Sequence, residues 1–273
     1  MRRWSFVGGA ILIVLGLFAL FQVGLDALGV HFRIWWIFWP LVLIGIGAWI
    51  VTGVSRRGIP GDFTREDASV PLDGAGEASV TVRHGAGRLT IGAGAGGGQL
   101  LSGSFGGGLD ASRRMDGGRL VVDMRMRDRG FSRYWVPWSH GWSNLRDWDF
   151  TMNPDVPVAL NLETGASETR LNLTDLKVTE LRLSTGASAT YIDLPARAGY
   201  TRVSIESGAA SVKLRVPNGV AAKVQVRSAL AGIHVDRSRF AATGGGYQSS
   251  DWDGAQNKLE ILIETGVGSV DVY

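Results

Sequence analysis

The feature that most constrains this chain is a change of parity around a repeated four-residue motif. In "LNLETGASETRLNL" (Leu160–Leu173) apolar residues stand at odd distances before Gly165, at Leu160 and Leu162. They stand at even distances after it, at Leu171 and Leu173. "LRLSTGASATYIDL" repeats the arrangement around Gly186 with Leu181, Leu183, Ile192 and Leu194. Period-two alternation describes short half-buried strands. An uninterrupted strand swaps faces at every residue, so odd-before and even-after cannot share one face. The chain has to bend at the Gly-Ala pair, and glycine brings the backbone freedom for the bend.

Further copies follow. Gly208 is flanked by Val203, Ile205, Val212, Leu214 and Val216, and Ala229 by Val224, Val226, Ile233 and Val235. Looser copies surround Gly85 in "SVTVRHGAGRLTI" and Gly266 in "EILIETGVGSVDV". The central four recur about every 21 or 22 residues. One such unit leaves its apolar face bare, and stacking covers it, each rung walling the next. The pattern predicts a β-solenoid, single-stranded and β-helix-like, with rungs pairing in parallel and corners at Gly85, Gly165, Gly186, Gly208, Ala229 and Gly266. An antiparallel β-sandwich with evenly spaced turns is the alternative.

Ahead of the repeats lie two uncharged runs, at about residues 4–25 and 34–54. Each is long enough to cross a hydrocarbon layer of ~30 Å as a helix. Trp35, Trp36 and Trp39 gather at the start of the second, where indoles suit a headgroup zone. The short connection makes residues 1–57 a transmembrane hairpin; a cleaved signal peptide or a buried core helix are the rival readings of such runs. Arg2, Arg3, Arg56 and Arg57 flank the spans and turn both chain ends toward the cytoplasm. Residues 58–77 read as a linker and 78–273 as the β-repeat domain, giving a two-span membrane protein with the bilayer as its first partner.

Within the repeat domain, residues 127–150 break the pattern. Phe131, Tyr134, Trp135, Trp138 and Trp142 are interleaved there with Arg129 and Arg133. Such a segment suits contact with a protein partner, where aromatic and Arg anchors are typical, or with a lipid surface. It also suits a loop folded over an open end of the solenoid. "GAGAGGG" (Gly92–Gly98) fits a dinucleotide fingerprint by letter alone, without the following helix, and reads as a turn. "GRLVVDMRMR" reads as one more strand.

Chemistry is poorly represented. The chain has no Cys, and its four His (His31, His84, His140, His234) lack metal-ligand spacing. Neither a metal nor a cofactor is expected, and a net charge of +3 gives no nucleic-acid footprint. Asp147/Asp149 and Asp251/Asp253 each bracket a Trp and read as solvated turn residues, so no catalytic residue is assigned.

The two halves together resemble a known arrangement. "GGAILIVLGLFALFQVG" with "WWIFWPLVLIGIGAWIV" resembles the transmembrane region of LiaF-like envelope-stress proteins, and "VPVALNLETGASETRLNLTDLKVTELRLSTGAS" is similar to the toast-rack, adhesin-like β-domain. The resemblance implies a bacterial, membrane-anchored, non-enzymatic regulator or scaffold of the cell-envelope stress response. It further implies a protein partner, a sensor histidine kinase or another envelope protein. Self-assembly through an uncapped C-terminal strand is the runner-up, since "VGSVDVY" leaves little room for a cap. A carbohydrate-acting β-helix enzyme is a third reading and requires an exported domain.

Overall fold

The structure is a computed structural model that describes residues 65–127 and 146–273. The hairpin of residues 1–57, with spans at about 4–25 and 34–54, lies outside the described residues. Among those described, no helix is long and apolar enough to cross a membrane.

Thirteen strands form one mixed sheet. In chain order they begin with β1 (Glu66–Pro71), β2 (Glu77–Ala93), β3 (Gln99–Phe105), β4 (Leu109–Asp116), β5 (Arg119–Met126) and β6 (Trp148–Met152). Next come β7 (Val158–Asn172), β8 (Val178–Asp193), β9 (Tyr200–Arg215) and β10 (Ala221–Val235). The last three are β11 (Phe240–Thr243), β12 (Gly246–Ser249) and β13 (Lys258–Val272).

Six strands, β2, β7, β8, β9, β10 and β13, carry one corner each and are 15 to 17 residues long. They pair in parallel with corner beside corner, as the solenoid reading requires. In β2, β7, β8, β9 and β13 the Val, Leu and Ile residues at odd positions before the corner and even positions after it are buried. Leu162, Leu173, Leu183 and Leu194 share a single apolar core. A tight turn closes the far side of the rung, where the Leu176 N–H donates to the Leu173 carbonyl at 3.0 Å and both side chains are buried.

Four expectations need correction. The rungs do not stack in chain order, because β13 inserts between β9 and β10. Its apolar pattern is complete, with Leu259, Ile261, Ile263, Val270 and Val272 all buried. The second half of β10 offers Leu230, Ala231, Gly232 and Ile233, a weaker apolar set, and it takes the outer place. The C-terminal strand is therefore an interior rung, and the uncapped edge belongs to β10.

The second correction concerns residues 58–77, read as a linker: they contain β1, which pairs antiparallel with β3. Third, the insertion is shorter than 127–150, since Trp148 and Phe150 lie on β6 inside the core. Alternation of Trp148, Phe150 and Met152 with Asp149 and Thr151 is the strand signal that the aromatic crowding hid. Fourth, the glycine at the corner is not needed for backbone freedom, as described below.

A seventh rung is split between β5 and β6. Arg119–Arg125 pairs with the first half of β2 and Trp148–Met152 with the second half. Outside it, β4 covers β5, and β3 followed by β1 covers β6, all antiparallel.

Candidate functional site

Each corner is built by the same local rule. Two successive residues, the glycine and the one after it, both face outward, which produces the parity change. The ladder skips the glycine in every parallel pair of corner-bearing rungs. None of the corner glycines has a positive φ. Glycine is required there by close approach. A Cβ on Gly165 would lie 2.4 Å from the Gly85 carbonyl oxygen, and one on Gly266 would lie 2.6 Å from that of Gly208. At Gly186 and Gly208 the corresponding distances are 3.1 and 3.0 Å, while at Gly85 nothing lies within 4 Å.

Stacked glycines leave an open trough of about 1140 Å³ along the corner line. One side carries the residue two places before each corner. In stack order this row reads Arg83, Glu163, Ser184, Glu206, Glu264 and Arg227. Both ends of the row are paired: Arg83 holds Asp123 at 2.7 Å and Glu163 at 3.0 Å, and Arg227 holds Glu264 at 2.7 Å. Glu206, in the middle, has no ion-pair partner among the described residues. On the other side of each glycine the row runs Ala86, Ala166, Ala187, Ala209, Val267 and Leu230, growing more apolar toward β10.

A second row lies one place before the corners: His84, Thr164, Thr185, Ser207 and Thr265. Their Nδ1 or hydroxyl oxygens are buried without a hydrogen-bond partner. Small polar groups at this position let the backbones close up at the bend; the orphaned oxygens make the corner line the least satisfied part of the interior.

At the β5–β6 rung the Gly-Ala corner is replaced by the aromatic insertion. By register, Arg125 stands beside Arg83, and Trp148 stands beside Leu89. The chain thus leaves the rung at Arg127 and re-enters at Arg146, at the end of the trough. Arg127 is held by Glu66 at 3.0 Å and donates to the Leu109 carbonyl at 2.6 Å. The returning end is held by His84, whose Nε2 lies 2.8 Å from the Arg146 carbonyl, and by Asp147, which accepts from the Arg88 N–H at 2.8 Å. Because a carbonyl only accepts, Nε2 carries the proton and Nδ1 is the bare acceptor. Burial pushes the His84 imidazole below its ordinary pKa, outweighing the stabilising hydrogen bond to Arg146. Trp148 packs beside it at 5.4 Å and donates from Nε1 to the Gly106 carbonyl at 3.0 Å.

Of the residues singled out in the insertion, Phe131, Tyr134, Trp135, Trp138, Trp142, Arg129 and Arg133 all lie outside the described residues. The corners Gly85, Gly165, Gly186, Gly208, Ala229 and Gly266 are brought into one line. The two carboxylate pairs are not brought together as a site: Asp147 caps the Arg88 backbone, Asp149 faces out from β6, and Asp251 and Asp253 sit in an exposed turn. Among the described residues no group of three His, Asp or Glu side chains is placed to hold a metal. Reading the sequence for apolar residues alone passed over the charged row, although R, E, E, R and E recur at one offset.

Residues 59–215 match the family described as the N-terminal domain of toast_rack, DUF2154. Among solved structures, the chain is similar to a candidate cell adhesion protein from Clostridium sporogenes, at 18% identity and a TM-score of 0.68. That likeness covers 77% of this chain and 98% of the other. A candidate adhesin from Bacteroides fragilis matches at 8% identity and a TM-score of 0.29, over 77% of this chain and 96% of that one. No curated protein matches the chain.

Proposed function

Since the chain belongs to the family of the N-terminal domain of toast_rack, we propose that it is a non-enzymatic regulator or scaffold of the bacterial cell-envelope stress response. Residues 1–57 anchor it in the membrane, both chain ends face the cytoplasm, and the solenoid-like domain presents its corner line to a protein partner. A sensor histidine kinase or another envelope protein is the kind of partner that suits this role.

The observation that carries the reading is the position of the aromatic insertion. Six corners are closed by two residues each, and one, at the end of the trough, is replaced by a segment rich in Trp, Tyr and Arg. Those residue types dominate the energetics of protein recognition. The trough spans six rungs, about 24 Å at about 4.8 Å per strand, which is enough for an extended partner segment. Both roots of the insertion are anchored by buried or half-buried contacts.

The test is site-directed photocrosslinking of the full chain in its native membrane. Probes at Ala166 and Ala187 on the corner line are expected to capture one membrane protein. A probe at Tyr191 on the outer face is expected not to capture it. Deletion of Tyr134–Trp142 should abolish that adduct and change the basal output of an envelope-stress reporter. Equal capture from both faces, or an unchanged reporter and adduct after the deletion, would overturn the reading.

A further inference from the structure

We propose that the bare outer edge of β10 pairs with the same edge of a second copy, joining two solenoids end to end as a closed dimer. Outside β10, β12 pairs only with Lys223 and Val224. From Gln225 to Val235 no described strand lies beyond it. Parallel strands alternate the side to which backbone groups point. The Asp236 N–H donates inward to the Val272 carbonyl, so Ala231, Ile233 and Val235 turn their N–H and C=O groups to the free edge.

The side chains there are unusual as well. Leu230 is 76% exposed, Val267 beside it on β13 is 53% exposed, and Ile233 is 40% exposed. Residues 228–233, SALAGI, carry no charge. Exposed strand edges normally bear charges, proline or a covering element. Residues 228–233 bear none of them.

The occupant is identified by self-complementarity and by contrast with the edges at the other end of the stack. At the other end of the stack, β4 carries Asp110, Arg113, Arg114 and Asp116. Two of these are paired, Arg113 with Asp73 at 3.5 Å and Asp110 with Arg125 at 3.2 Å. The other outer strand there, β1, carries Glu66, Asp67 and Pro71. A head-to-tail contact would set an uncharged, apolar edge against these charges and a missing N–H. Head-to-head, the apolar edge meets its own like.

An antiparallel pairing centred on Ile233 places Ile233 opposite Ile233 and Ala231 opposite Val235 of the second copy. All of these belong to the core face, so the two apolar interiors become continuous, and the free backbone groups are satisfied. Such a contact uses the same patch on both partners and closes at two copies. It replaces the open filament expected from the C-terminal strand.

Because the chain contains no Cys, an introduced thiol is its only one. In full-length protein in membranes, Ile233→Cys is expected to give a covalent dimer on mild oxidation. Opposed residues in a hydrogen-bonded antiparallel pair have Cα atoms about 5.5 Å apart, within disulfide reach. Arg113→Cys on β4 is expected to stay monomeric under the same oxidation. Ultracentrifugation in detergent should show a dimer for the parent chain and a monomer for Leu230→Lys, whose exposed position leaves folding intact. A parent chain monomeric at every concentration, a series of higher oligomers, or equal crosslinking from Arg113→Cys would each overturn the dimer. None of these outcomes bears on the corner-line partner, which is read by a different probe set.

Discussion

At the β5–β6 end, the outermost parallel rung is covered on one half by β4 and on the other by β3 and β1. At the β10 end, only two residues have a strand outside them. The covered end has given up the Gly-Ala corner for a long aromatic insertion. The bare end keeps a two-residue corner, with Ala229 in place of glycine. Antiparallel strands can turn a charged, hydrated edge outward while their other edge completes the ladder, so they end a parallel stack cleanly. A parallel rung left outermost keeps the alternation its neighbours need, and its apolar positions remain uncovered.

The largest expected contrast is in core packing at the two ends. Trp148→Ala should cost about 3–5 kcal/mol, since it empties a fully buried site beside Phe105 and His84 and orphans the Gly106 carbonyl. Leu230→Ala should change monomer stability by less than about 0.5 kcal/mol. Denaturant unfolding of the detergent-solubilised chain, at concentrations where it is monomeric, measures both. Similar losses would mean that the two ends are packed alike.

Next in size is the corner itself. Gly165→Ala should destabilise by about 1–3 kcal/mol, because the new methyl meets a carbonyl of the neighbouring backbone. Gly85→Ala, where the neighbouring corner has been replaced by the insertion, should be nearly neutral. Equal effects in the same unfolding assay would refute close approach as the reason for glycine.

Acid should act on the insertion end first. The folded pKa of His84 is depressed by burial, so the unfolded chain takes up a proton that the folded chain resists. The stability contribution is therefore complete above the ordinary imidazole value of about 6.5 and is lost as pH falls below it. Amide protection factors, corrected for the intrinsic slowing of exchange in acid, should fall at β6 between neutral and mildly acidic pH before they fall at β9. His84→Gln should remove that difference. The charged cover contributes little: Arg113→Ala breaks an exposed ion pair with Asp73 and should cost less than about 1 kcal/mol in the same unfolding assay.

Much of the fold was legible in the residues. The parity change at Gly165 and Gly186 defined a corner with two outward residues, and the recurrence of Leu, Ile and Val at common offsets defined one interior. The β5 strand was also readable, since period two is a local property. What was not readable had non-local causes. Trp148 looked like one more ring in an aromatic loop, and only its pairing with Leu89 makes it a core residue. Glu163, Glu206 and Glu264 are far apart in the chain, and they become a row only when the four rungs from β7 to β13 are in register. The split rung of β5 and β6 could not be seen at all, because its corner is missing.

The sequence by itself determined where the chain bends, which side chains face inward and that the units must stack, because alternation and the need to cover apolar surface act within a single rung. The order of the stack was decided only in three dimensions. β13 displaces β10 from the inner position because its apolar set buries more completely between two neighbours, and no local pattern encodes a comparison between distant strands. The same competition leaves one edge uncovered.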